Sequence, residues 1–143
     1  MEKVIKSIPE LERFAREFLG QLSPDTEGAT VVGLSGDLGS GKTAFTKAVA
    51  KILGVKESVL SPTFVLAKFY ELSGHPAWSR LVHIDAYRID EPEELPALRW
   101  EEIAVDPRNL VLIEWPERID AGVPKNIATL RFRFVDETTR AIV

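Results

Sequence analysis

Thr30-Val31-Val32-Gly33-Leu34-Ser35-Gly36-Asp37-Leu38-Gly39-Ser40-Gly41-Lys42-Thr43-Ala44-Phe45 decides the fold of this 143-residue chain. Thr30 to Leu34 is short, β-branched and apolar on both sides, the pattern of a strand buried on both faces. After Ser35, the eight residues Gly36 to Thr43 fill every position of G-x-x-x-x-G-K-[ST]. From Lys42 to Leu53 the apolar residues Phe45, Val49 and Ile52 recur at helical spacing, and Gly54 is placed to stop that helix. Strand, glycine-rich turn and helix in this order make a phosphate-binding loop. The glycines let the backbone curl so that successive N–H groups face phosphate oxygens, and the helix start adds its dipole. Lys42 sets an ammonium beside the β- and γ-phosphates, and the Thr43 hydroxyl is a ligand for Mg²⁺.

Outward from this loop, Leu110-Val111-Leu112-Ile113 is the strongest buried-strand signal in the sequence. Being wholly apolar, it is expected at the centre of the sheet beside the loop strand, and it ends at Glu114. A second strand, Leu81-Val82-His83-Ile84, ends at Asp85. Phosphate-loop enzymes hold Mg²⁺ with an acidic residue at the end of a neighbouring buried strand. Asp85 and Glu114 both qualify, and the residues alone leave the choice open.

Val65 to Tyr70 reads as a strand paired with Leu81 to Asp85 around a turn at Ser73-Gly74. Pro9 to Leu22 reads as a scaffold helix through Leu11, Phe14, Ala15, Phe18 and Leu19, with Gly20 and Pro24 marking its end. Glu91 to Trp100 carries a short helix signal that Pro96 interrupts. Ile127 to Val135 alternates apolar and polar side chains, as a strand with one solvated face does. The prediction is an α/β protein: a P-loop NTPase-like three-layer sandwich with a mixed, mainly parallel sheet, formed by one domain over residues 1–143.

Composition narrows the function classes. Hydrophobic residues make up 45% and charged residues 28%, which excludes disordered and collagen-like chains. Eighteen Lys and Arg against 22 Asp and Glu leave a net charge of −4, so the chain lacks a broad basic field that would hold a nucleic-acid backbone by itself. There is no cysteine, hence no disulfide scaffold, thiolate nucleophile or cysteine zinc site. No apolar run is long enough to span a bilayer, and Met1-Glu2-Lys3-Val4-Ile5-Lys6 lacks the apolar stretch of a signal peptide. A cytoplasmic location without a membrane partner is expected. Ser61-Pro62-Thr63-Phe64 follows the loop helix, where P-loop switches place a Thr that senses the γ-phosphate.

Together these pieces resemble the TsaE (YjeE) family, small bacterial P-loop ATPases of tRNA threonylcarbamoyladenosine formation. The resemblance covers nearly the whole chain. It rests on the loop motif, on Ser61-Pro62-Thr63-Phe64, on His83-Ile84-Asp85-Ala86-Tyr87-Arg88 and on Glu114-Trp115-Pro116-Glu117, in the family's order. It implies that Asp37, Leu38, Gly39, Ser40, Gly41, Lys42, Thr43 and Ala44 bind ATP, that Thr43 and Glu114 hold Mg²⁺, and that Lys42, Thr63 and Asp85 serve hydrolysis. Thr63 would be the switch sensor and Asp85 a carboxylate near the metal or the attacking water. Trp115 would contact or report on a nucleotide-dependent surface. His83 and Tyr87 would order the Asp85 loop. Ala44 stands where the family commonly has a second hydroxyl residue, so contacts there fall to the backbone. Adenine and ribose contacts are expected from the two ends of the chain, Pro9-Glu10-Leu11-Glu12 and Arg140 among them.

The leading expectation is an ATPase subunit for tRNA modification that works with the TsaD and TsaB proteins and meets tRNA through that complex. A small-molecule kinase is the first alternative, but Arg80, Arg88, Arg99 and Arg118 are scattered and no lid insertion is visible. A nucleotide-dependent interaction module without essential hydrolysis is the second. A GTPase is disfavoured because no Asn-Lys-x-Asp guanine-reading motif is present; Lys125-Asn126 is not one.

Overall fold

The sheet is organised around β2 (Thr30–Gly36), the strand that leads into the glycine-rich turn. A computed structural model describes residues 2–22, 28–36, 40–55, 67–72, 77–85, 100–116 and 127–143. Within these residues β2 lies between β5 (Asn109–Glu114) and β6 (Ala128–Asp136), parallel to both. Beyond β5 comes β4 (Arg80–Asp85), parallel to it, and then β3 (Ala67–Glu71), antiparallel at the edge. On the other side β7 (Thr139–Ile142) and β1 (Lys3–Ile5) complete a seven-stranded sheet in the order β1-β7-β6-β2-β5-β4-β3. The mixed sheet with four adjacent parallel strands at its centre is the predicted one.

Burial explains this order. All six residues of β5 are buried, as a strand flanked on both edges and covered on both faces requires. Its register sets Leu110 opposite Thr30 and Glu114 opposite Leu34, beside the loop strand as expected. Alternate residues of the central strands enter two apolar clusters. Val32, Leu34, Leu81, Leu110 and Leu112 face one cluster, with Leu11 and Ala15 of α1 (Ile8–Gln21) and Phe45 and Val49 of α2 (Lys42–Ile52). Val31, Val82, Ile84, Val111 and Ile113 face the other, where Ile103 and Ala104 of α3 (Trp100–Val105) pack. Helices therefore cover both faces of the sheet. Phe45 touches Phe14, Phe18 and Phe132, with ring centroids 5.6–6.1 Å away, and ties α1, α2 and β6 together.

Helix α1 begins at the N-cap Ser7, whose hydroxyl accepts from the Glu10 N–H, while the Glu10 carboxylate accepts from the Lys6 N–H at 2.6 Å. It ends at Gln21, within one residue of the predicted Leu22, with Gly20 in its last turn. Helix α2 ends as predicted, with Gly54 at φ +86°.

Two strands were not foreseen. β1 and β7 have three and four residues, too few for a periodic signal, and each mixes apolar with charged residues. They form by pairing: β7 zips antiparallel onto β6, and β1 onto β7. The predicted Glu91–Trp100 helix lies outside the described residues apart from Trp100, which opens α3. Asp37, Leu38, Gly39, Thr63 and its neighbours, Tyr87 and Glu117 also lie outside them. Among the described residues no helix is long and apolar enough to cross a membrane.

Candidate nucleotide site

Parallel strands end on one side of the sheet, and ligands of open α/β sheets bind beyond those carboxyl ends. Here that rim carries Gly36 of β2, Asp85 of β4 and Glu114 of β5. Two glycines shape the turn. Gly36 has φ +137°, and a Cβ there would lie 2.3 Å from the Phe132 carbonyl oxygen, so no side chain fits between β2 and β6. Gly41 has φ +110° and is the N-cap of α2, accepting from the Phe45 N–H without a side-chain cap. An N-terminus left open in this way has amide donors for an anion.

Lys42 opens the helix and is only 4% exposed. Its ammonium donates to the Gly36 carbonyl at 2.5 Å and to the Ser40 hydroxyl at 3.4 Å, and it lies 4.6 Å from the centroid of the Trp115 ring. Taking a cation out of water is costly. A polar cradle beneath an aromatic face offsets part of that cost and keeps the charge at the loop mouth. Trp115 itself has φ +63°, the single non-glycine residue with positive φ among those described, while its N–H donates to the Leu34 carbonyl at 3.0 Å. The strain falls at the residue following Glu114, where β5 leaves the sheet.

The Thr43 hydroxyl bridges both oxygens of Glu114, at 3.2 Å to each. Glu114 is 5% exposed and also meets His83 Nε2 at 2.5 Å through Oε2. Asp85 pairs with Glu114 across the β4–β5 ladder and is likewise buried. Since alternate residues share a face, His83 and Asp85 point to the α2 side with Leu81. Both candidate carboxylates thus stand side by side, and Thr43 reaches Glu114. Among the described residues no three or more His, Asp and Glu side chains converge to hold a metal. A hydroxyl and one buried carboxylate suit Mg²⁺, a hard ion that takes few protein ligands and completes its shell with water and phosphate oxygens.

Beside the loop lies a cavity of about 350 Å³. Ser7, Ile8 and Leu11 from the start of α1, Ala44 of α2, Phe132 of β6 and Arg140 of β7 line it. Both chain ends reach it, where base and ribose contacts were expected: through Leu11 and Arg140, which that expectation named, and through Ser7, Ile8, Phe132 and the β6–β7 turn, which it did not. In that turn Asp136 accepts from the Thr138 N–H at 2.9 Å, and this bond, first among its partners, holds its carboxyl below the usual value. Arg140 donates to the Asp136 and Thr139 carbonyls and lies 4.5 Å from the Phe134 ring centroid.

The described contact of His83 is with Glu114, and the residues after Asp85 that it was expected to order lie outside the described ones. No spacing rule signals that contact; it arises from strand pairing. Trp78, given no role from sequence, is buried and donates to the Thr30 hydroxyl at 3.2 Å, a core anchor.

Comparison with known proteins agrees with this architecture. The profile of the family described as threonylcarbamoyl adenosine biosynthesis protein TsaE matches residues 5–142. A tRNA threonylcarbamoyladenosine biosynthesis protein TsaE from Rickettsia bellii is 34% identical over 140 residues, covering 97% of this chain and 90% of its own. The Haemophilus influenzae protein of the same name is 31% identical over 141 residues, covering 96% and 86%. In fold, the chain is similar to the crystal structure of Bacillus subtilis YdiB, with a TM-score of 0.69 at 24% identity, over 99% of this chain and 82% of that one.

Proposed function

The chain belongs to the TsaE family, and from that premise we propose that it is an ATP-binding and ATP-hydrolysing subunit for threonylcarbamoyladenosine formation on tRNA. The observation that carries the reading is the convergence of Lys42, Thr43 and Glu114 where β2 and β5 end. A buried ammonium at a helix N-terminus, next to a hydroxyl bonded to a strand-end carboxylate, is what triphosphate binding with a divalent ion requires.

In this reading the loop from Asp37 to Ala44 wraps the phosphates and the Lys42 ammonium leaves Gly36 and Ser40 for the β- and γ-phosphate oxygens. Thr43 and Glu114 hold Mg²⁺, which when bound neutralises phosphate charge. Water attacks the γ-phosphorus in line with the leaving β-phosphate oxygen, and Lys42 stabilises the charge that develops. Asp85, beside Glu114, orients that water, and Thr63 senses the γ-phosphate. The cavity between α1 and β7 takes the base and ribose. The whole of 1–143 acts as one domain in the cytoplasm, with TsaD and TsaB as partners that complete or reset the site. Tertiary contact with tRNA comes through them, in keeping with the net charge of −4.

The test is Mg²⁺-dependent ATP hydrolysis by the purified chain, alone and with TsaD, TsaB and tRNA. Weak hydrolysis that rises in the complex, together with tRNA modification that depends on this chain, is the expected result. Hydrolysis indifferent to the partners, or modification unaffected by Lys42→Ala, overturns it.

A further inference from the structure

We propose that His83 is a positioning residue that sets the orientation of the Glu114 carboxylate for a divalent ion; the inference rests on the metal-site reading above. His83 is fully buried in the interior of β4, and its Nε2 meets Glu114 Oε2 at 2.5 Å. Its other ring nitrogen, Nδ1, is buried and has no hydrogen-bond partner among the described residues. These two facts select the tautomer. A proton on Nδ1 would leave a buried N–H unpaired and would set the Nε2 lone pair against a carboxylate oxygen, two penalties together. A proton on Nε2 makes a charge-assisted bond to Glu114 and leaves only an unused lone pair. His83 therefore donates through Nε2.

The consequence lies in how the carboxylate is held. A glutamate side chain has free rotation about its terminal bond, and a ligand that must stop rotating on ion binding binds more weakly. Here Thr43 touches both oxygens of Glu114 from the α2 side, and His83 holds Oε2 from the neighbouring strand. The two donors come from different elements, so together they fix the carboxylate plane before any ion arrives. Groups bonded to metal-ligating carboxylates characteristically change metal affinity about 10- to 100-fold when removed. An apolar residue at this position of β4 would leave Glu114 Oε2 without the donor that His83 supplies.

The test measures Mn²⁺ affinity by electron paramagnetic resonance in the presence of a non-hydrolysable ATP analogue, and the analogue's affinity without metal. His83→Leu removes the donor, whereas His83→Gln places an amide N–H near the Nε2 position. The expected result is Mn²⁺ affinity about 10- to 100-fold weaker in His83→Leu, recovered to within about threefold in His83→Gln, with metal-free nucleotide affinity held in both. Equal losses with and without metal in both variants would indicate a merely structural histidine and overturn the proposal. Mn²⁺ affinity retained in His83→Leu but lost in Glu114→Ala would overturn it while leaving the metal site standing. Affinity unchanged in both would overturn the metal-site reading and this proposal with it. Should His83→Leu not fold, the Gln variant and the native protein decide. The chain has two histidines, so nitrogen-15 NMR of the imidazoles resolves His83 directly, and a proton-free Nε2 overturns the proposal.

Discussion

The two halves of the candidate nucleotide site are built on opposite principles. The phosphate half, where β2, β4 and β5 end, buries charge: Lys42, Asp85 and Glu114 are each at most 8% exposed, with His83 behind them. The half between α1, β6 and β7 is an open cavity with Ile8, Leu11 and Phe132 on its walls. Charges buried at strand ends need partners at defined distances, and the parallel ladder supplies those distances through its register. A cavity with largely apolar walls needs only room and contact, which short edge strands and a helix end provide. The first half should therefore fail sharply when a single group is removed, and the second should yield gradually.

The largest effect is expected from Lys42→Ala, which removes the ammonium from the phosphates. Affinity for ATP and for inorganic tripolyphosphate should both fall on the order of 100-fold, as calorimetry would read, because charged hydrogen bonds are lost. Loss of ATP binding with tripolyphosphate binding intact would break the division between the halves.

Glu114→Gln keeps the shape of the side chain but removes its charge. The gain in ATP affinity on adding Mg²⁺ should shrink about 10- to 100-fold while metal-free binding holds. If Asp85→Asn shows this signature instead, the roles of the two carboxylates are exchanged. In the apolar half, Ala44→Leu projects a larger side chain into the cavity. It should weaken ATP about tenfold, through overpacking of roughly 1–3 kcal/mol, and leave tripolyphosphate unaffected; equal weakening of both ligands would refute the base pocket.

Smaller effects concern the walls of the cavity. Ser7→Ala removes the N-cap of α1 and should cost about 1 kcal/mol of stability, measurable by denaturant titration with little change at the phosphate half. The pH response of the β6–β7 turn should be the smallest. Asp136 has its carboxyl lowered by the Thr138 N–H, so its stabilisation is fully present above the usual carboxylate value and lost as pH falls through the lowered folded-state value. Hydrogen exchange of the Thr138 amide should accelerate, relative to the central strands, only on the acid side. Acceleration toward alkaline pH beyond the intrinsic rate would contradict the sign.

The same division marks what can be read without coordinates. The buried strands Thr30–Leu34 and Leu110–Ile113, the turn glycines Gly36 and Gly41, and the helix that ends at Gly54 were all legible. Each is a local pattern enforced by backbone chemistry: apolar runs, glycine at positive φ, helical periodicity. Even the adjacency of β2 and β5 followed, since a wholly apolar strand belongs at the sheet centre. The first helix was legible too: read as Pro9 to Leu22, it runs Ile8–Gln21 with Gly20 in its last turn, held by packing of Phe14, Phe18 and Leu19.

Residue order and type thus determined that this chain has a glycine-rich turn between a buried strand and a helix, two strand-end carboxylates and a sheet to carry them. Tertiary structure decided which hydroxyl reaches which carboxylate, that His83 stands behind Glu114, and that β1 and β7 pair to close a cavity beside the loop. The physical reason is range. Glycine turns and apolar periodicity act between residues a few positions apart, whereas His83 and Glu114 are 31 positions apart and Thr43 and Glu114 are 71. Strand register brings them together, and register belongs to the folded sheet as a whole.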